Sequence, residues 1–175
     1  MQWNPHWECF VPNPSNCATE AALYLDLWLE RNSVDFASIV ELENPQNFVP
    51  KPPWQSIGAA GVREKVSLMY NSQRWTRAPN NSVQGCMVSG AQLDRLFVVQ
   101  KFDSRGGQVS DEVIVIGAHF QNASIGKPLT SHELEPLRTA IERVVLATGV
   151  NHVLLIADTS EYDIASQQDI RDKLG

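Results

Sequence analysis

Apolar residues recur along this chain with two periods, and those periods divide it into helices and strands. Between Ala18 and Asn32 they return every three or four positions, at Ala22, Leu25, Trp28 and Leu29, which predicts a helix buried along one stripe. Ser15 or Asn16 can cap its start. Before it, Gln2 to Phe10 interleaves Trp3 and Trp7 with Asn4 and His6 and predicts an extended strand, in which Pro5 must sit where no ladder donor is needed. After it, Phe36 to Val40 is a short apolar run that predicts a buried strand ending on Glu41.

Residues 44–62 are rich in Pro, Asn and Gly and predict a long loop with at most one helical turn. Val66 to Tyr70, Val83 to Ser89 and Leu93 to Phe102 follow as strands separated by polar turns, and "DSRGGQVSD" reads as a hairpin-like turn. Glu112 to Phe120, "EVIVIGAHF", is the next strand and carries His119 at its end. Thr130 with Glu133 forms a capping box for a second long helix, whose predicted core face is Leu134, Leu137, Ile141, Val144 and Ala147. Gly149 suits its C-terminal cap, and Pro136 fits only near its first turn. "VLLIAD" then predicts a fully buried strand stopping on Asp158, and Ala165 to Leu174 a short final helix. Strands and helices alternate at both ends with hairpins between, the pattern of mixed sheets flanked by helices.

The chain's 175 residues suit one domain, 1–175. Its 43% hydrophobic and 19% charged residues are ordinary for a globular protein. No run of about 18 apolar residues predicts a membrane span. The opening "MQWNPHWECF" lacks the basic-then-apolar order of a signal peptide, and a secreted form already processed would look the same, so location stays open. A net charge of −6 argues against non-specific adhesion to a polyanion. Basic residues are scattered, the tightest cluster being Arg138 to Arg143 on the second helix, which favours a small or locally gripped substrate. A bound divalent cation would alter that local balance. The three cysteines, Cys9, Cys17 and Cys86, include no C-x-x-C pair and so no structural zinc site. In an oxidising compartment Cys9 and Cys17 could pair; otherwise all three are thiols. Asn80 and Asn122 stand in N-x-S patterns, which carry weight only in a secretory context.

Three apolar strands close on a polar group: Val40 hands over to Glu41, Ala118 to His119, and Ala157 to Asp158. In layered α/β proteins ligands gather outside the carboxyl ends of strands. Carboxylates converging there offer hard oxygen donors suited to Mg²⁺ or Ca²⁺, and an adjacent histidine can hold a phosphate oxygen or move a proton. That set suits metal-assisted hydrolysis of a phosphoester. Each residue has a structural alternative. A strand-terminal carboxylate can cap the next turn, a histidine there can be a hydrogen-bonded core residue, and Tyr70 or Arg95 can be strand residues with solvated tips.

The order of these residues resembles the endonuclease/exonuclease/phosphatase superfamily, and within it the deoxyribonuclease I-like nucleases. Asn4 in "WNPHW" matches the Asn of the family's first strand, and Glu41 in "DFASIVE" its metal-binding Glu. Tyr70 in "VSLMY", Arg95 in "DRLFVVQKF" and His119 in "VIVIGAHF" match its Tyr, Arg and catalytic His, and "LLIADTS" stands at its G-D-x-N motif. The resemblance spans nearly the whole chain and implies an α/β fold, a four-layer α/β/β/α sandwich of the deoxyribonuclease I-like kind. It implies Mg²⁺ as cofactor, with Mn²⁺ or Ca²⁺ as substitutes, held by Glu41, Asn4 and Asp158. It implies His119, Asp158, Tyr70 and Arg95 as catalytic groups, and Asn4 and Ser160 as substrate contacts. DNA or another phosphodiester is the implied partner, with no membrane.

Two departures stand against the family pattern. G-D-x-N reads Ala157-Asp158-Thr159-Ser160, so a hydroxyl replaces the amide. The family's terminal S-D-H segment has no counterpart; His132 and His152 stand in other contexts, and only His6 shares its strand side with Asn4. The expected sandwich is therefore incomplete at its C-terminus, with a sheet edge left for a second chain or fragment to complete. The alternative function is a catalytically inactive, nuclease-like binding or assembly module. An inositol or other phosphomonoester is a further substrate class.

Overall fold

The computed structural model describes residues 1–5, 17–41, 51–60, 65–88, 95–106, 112–120, 130–159 and 164–174. In chain order these form β1 (Gln2–Trp3), α1 (Cys17–Arg31), β2 (Phe36–Ile39), β3 (Trp54–Ala60), β4 (Lys65–Asn71), β5 (Trp75–Val88), β6 (Arg95–Ser104), β7 (Glu112–His119), α2 (Ser131–Thr148), β8 (Val153–Asp158) and α3 (Ile164–Leu174). Two sheets result, ordered β1-β2-β4-β3 and β5-β6-β7-β8. β1 runs parallel to β2 and β8 parallel to β7; the other pairs are antiparallel.

Side-chain alternation along the strands sorts the core into layers. Ala37, Ile39 and Met69 of the first sheet pack with Ala21, Leu25 and Leu29 of α1. Phe36, Val40, Leu68 and Tyr70 face the second sheet and meet Leu96, Val98, Phe102, Val115 and Ile156. The far side of that sheet, through Phe97, Val99, Ile114 and Ile116, packs on Leu134, Leu137, Ala140 and Val144 of α2 and on Ile170 of α3. α1 thus packs on the first sheet, the two sheets on each other, and α2 and α3 on the second sheet.

α2 is secured at both ends. The Thr130 hydroxyl accepts from the Glu133 backbone N–H at 3.3 Å, and the Glu133 carboxylate accepts from the Thr130 backbone N–H at 2.8 Å. Gly149, at φ 71°, donates its N–H to the Val145 carbonyl, a left-handed cap that costs glycine nothing. Pro136 lies in the second turn, on an exposed side, rather than in the first.

Several local expectations are corrected. The predicted loop at 44–62 contains β3, in which Trp54 and Ile57 are the buried residues among those whose burial is described. β5 begins eight positions before the predicted Val83 and bulges between Arg77 and Ser82, a break that accommodates Pro79. Gln100 ties that bulge down by donating to the carbonyls of Ala78 and Asn81. α1 buries Ala21, Leu25 and Leu29, and turns Trp28 outward. On α2 the inner face takes Ala140, while Ala147 is exposed. Among the described residues β8 is an outermost strand, and it begins exposed at Val153 and Leu154. Cys17 is disulfide-bonded; Cys9, the partner expected for it, lies outside the described residues, as do His6 and Ser160.

Candidate active site at the carboxyl ends of four strands

The carboxyl ends of β1, β2, β7 and β8 point the same way, and the start of β6 lies beside the end of β7. Register fixes these levels: Trp3 is opposite Ile39, His119 opposite Asp158, and Phe97 opposite Ala118. Alternation then selects the direction. In β7, Val115 faces the first sheet while Ile116 and Ala118 face α2, so His119 is presented to the space between the sheets. Ile156 in β8 faces the same space and sends Asp158 there; Trp3 packs towards α1, which sends Asn4 there.

Glu41 reaches this space by a different device. Continued alternation beyond Ile39 and Val40 would turn it towards α1. Its backbone instead adopts φ 58°, the left-handed region, which costs a non-glycine residue roughly 1–2 kcal/mol. The turn brings its Oε1 to 3.8 Å from His119 Nε2.

Three contacts define the geometry. Asn4 Nδ2 donates to Asp158 Oδ2 at 2.9 Å, linking an edge strand of one sheet to an edge strand of the other. Arg95 Nη1 lies 3.2 Å from His119 Nδ1. An arginine can only donate, so Nδ1 is the acceptor and the neutral ring carries its proton on Nε2, the nitrogen facing Glu41. His119 and Arg95 are both buried, at 2% and 8% exposure, so their relative placement is held by packing.

The close approach of the sheets beneath this cluster rests on two small residues. A Cβ on Gly117 would meet Ser38 Oγ at 3.0 Å and Leu68 Cβ at 3.4 Å. Ser38 is fully buried in β2, three residues before Glu41, and its hydroxyl has no hydrogen-bond partner among the described residues. The only sequence signal for this pair is a small residue inside each apolar run, "FASIV" and "VIVIGAHF".

The site residues expected from the sequence therefore divide. Asn4, Glu41, Arg95, His119 and Asp158 are brought to one end of the sandwich. Tyr70 is not. It lies opposite Phe36 in the β2–β4 register, five strand positions and roughly 16 Å from the level of Glu41. Its ring packs on Phe102, and its hydroxyl donates to Gln55 Oε1 at 2.6 Å. A cavity of about 660 Å³, lined by Trp28, Phe36, Trp75, Val113, Leu154 and Ile156 among others, contains none of the cluster's residues. Its walls are mostly apolar, and the Asp35 carboxylate among them accepts from Trp75 Nε1 and pairs with Arg74.

No family model matches the sequence, and no curated protein matches it. Solved structures do match. An endonuclease/exonuclease/phosphatase family protein from Bacteroides thetaiotaomicron superposes with a TM-score of 0.66 at 12% identity, over 90% of this chain and 58% of that one. A D. rerio TDP2 structure complexed with single strand DNA product superposes at 0.65 with 16% identity, over 97% and 63%. The chain has the endonuclease/exonuclease/phosphatase fold. The same fold is shared with a mannosyl-6-phosphatase from Bacteroides thetaiotaomicron, at a TM-score of 0.66, 12% identity, and coverage of 90% and 61%. The chain thus spans 58–63% of the length of these endonuclease/exonuclease/phosphatase-fold structures. The α/β fold class expected with the resemblance holds, and the fold is the one these solved structures share.

Proposed function

We propose that this chain hydrolyses phosphoesters, and specifically phosphodiester bonds in nucleic acid, with a divalent cation as cofactor. The observation that carries the reading is the cluster of Glu41 with the buried His119 and Arg95, beside the Asn4–Asp158 pair. Single strand DNA product in the TDP2 structure supports the nucleic-acid substrate.

Among the described residues no three His, Cys, Asp or Glu side chains gather into a ligand cluster. The oxygen donors of Glu41, Asp158 and Asn4 nevertheless suit Mg²⁺, which takes one or two carboxylates and keeps several waters. Glu41 is the chief ligand in this reading, with Asn4 and Asp158 beside it; Mn²⁺ or Ca²⁺ would use the same donors. Held by these donors, a divalent ion would supply charge neutralisation at the phosphate and its leaving oxygen. His119 presents its Nε2 proton to a non-bridging phosphate oxygen, with Arg95 fixing the ring from behind. Asp158, held by Asn4, orients the water that attacks in line as the bond to the leaving oxygen breaks.

Purified protein is assayed with Mg²⁺ against single-stranded DNA, RNA and a nitrophenyl phosphodiester. Glu41→Ala and His119→Gln should each lower the rate by two or more orders of magnitude, the scale of losing one transition-state donor. Full activity in Glu41→Ala would remove the metal assignment, and no turnover of any phosphoester would remove the function. The hydroxyl of Ser160 in place of the motif's amide favours a second reading, a module that binds without turnover. Titration calorimetry with Mg²⁺ and an oligonucleotide, giving heat without product, would support that one.

A further inference from the structure

α1 carries two apolar faces. Ala21, Leu25 and Leu29 are buried against the first sheet. On the other side Leu23, Tyr24, Leu27 and Trp28 are 55%, 72%, 40% and 46% exposed, a concentration of large apolar side chains found on no other helix among the described residues. Such a patch marks an interaction surface rather than ordinary surface composition.

The arrangement of that face indicates what covers it. Glu20, Tyr24, Leu27 and Arg31 follow at helical spacing and form one ridge, flanked by Leu23 and Trp28. Glu20 lies in the first turn and Arg31 in the last, and neither is engaged in an ion pair among the described residues. About the midpoint between Leu25 and Asp26 the ridge is symmetric: position 20 mirrors 31, 23 mirrors 28, and 24 mirrors 27. An antiparallel helix with this same ridge is its complement in both charge and shape.

We propose that this face of α1 is a self-association surface, on which a second copy packs its own α1 antiparallel about a two-fold axis. Glu20 then meets the partner's Arg31, and Tyr24 lies over the partner's Leu27, each contact made twice because a two-fold interface is isologous. Antiparallel packing also sets the positive end of one helix dipole beside the negative end of the other. The apolar surface continues past the helix end, where Trp28, Asn32, Val34 and the exposed Leu154 line the 660 Å³ cavity. That continuation enlarges the area which the second copy can cover.

Light scattering and sedimentation across a concentration series test this directly. The wild-type chain should dimerise, and Leu27→Asp should be monomeric with an unchanged far-ultraviolet circular dichroism spectrum. Glu20→Arg should weaken self-association roughly tenfold by replacing two attractions with two repulsions. The double variant Glu20→Arg/Arg31→Glu should restore it, since both pairs re-form with signs exchanged. A wild-type chain that stays monomeric at every concentration overturns the proposal, whether or not it binds vesicles or another protein. A dimer indifferent to the charge reversals overturns it equally.

Discussion

Asn4 and Asp158 stand 154 residues apart in sequence, and the amide of one donates to the carboxylate of the other at 2.9 Å. Since β1 belongs to one sheet and β8 to the other, this bond closes the sandwich at the end where the cluster lies. Asn4→Ala should cost about 1.5–3 kcal/mol of stability, the range for a hydrogen bond to a charged group. It should also lower the hydrolytic rate by loosening Asp158. Asn4→Asp should do worse on both counts, because it sets two carboxylates face to face. Urea unfolding and the phosphodiesterase assay, run on the same preparations, check both.

Gly117 faces Ser38 where the sheets come closest, and any side chain there must displace the serine or Leu68. Gly117→Ala should destabilise the chain by about 1–3 kcal/mol, the usual cost of overpacking. Ser38→Ala removes the nearer of the two obstructing atoms, so Ser38→Ala/Gly117→Ala should recover part of that loss. A double-mutant cycle in urea measures the coupling, and strict additivity of the two changes would contradict the contact.

His119 and Tyr70 offer a paired comparison. Tyr70→Phe deletes the bond to Gln55 at the far end of the sandwich. It should cost about 1 kcal/mol of stability and leave kcat for the phosphodiester unchanged. His119→Gln should cut kcat sharply while leaving folding nearly intact. A large rate loss in Tyr70→Phe would return that residue to the site.

The α2 capping box predicts a pH dependence whose sign can be worked out. Hydrogen bonds from the Thr130 backbone, then from its hydroxyl, hold the Glu133 carboxyl below its ordinary value of 4.5. A depressed carboxyl contributes stability that is present above the unfolded value and lost as pH falls through the folded one. Thr130→Ala should therefore cost about 1 kcal/mol at neutral pH, and the gap to wild type should narrow below pH 4.5. Urea midpoints at pH 7 and pH 3 give the comparison.

Strand-end chemistry was legible from the sequence because it depends on a local contrast. Glu41, His119 and Asp158 each close an apolar run, and parallel pairing of β1 with β2 and β7 with β8 puts such ends on one side. Tyr70 closes a run as well. However, β4 is antiparallel to β2, so its carboxyl end lies at the opposite edge of the sheet, and strand direction is not written in local pattern. β3 escaped notice because "WQSIGAA" offers Trp54 and Ile57 as its large apolar residues, leaving little periodicity to read. The period of α1 located its apolar residues without saying which stripe faced the core, and Trp28 was assigned to the wrong one. Ser38 and Gly117 matter through contact across the sheets, which no stretch of sequence shows alone.

The position of β1 has a bearing on how the molecule is made. β1 ends beside β8, so Asn4 waits for 154 further residues before Asp158 is available to it. Contacts of such long sequence separation are paid for late in folding, after hairpins such as β3–β4 and β6–β7 have formed. In a growing chain these hairpins can form before the end of the sandwich that holds Asn4 and Asp158 closes, a step that waits for the eighth strand to leave the ribosome.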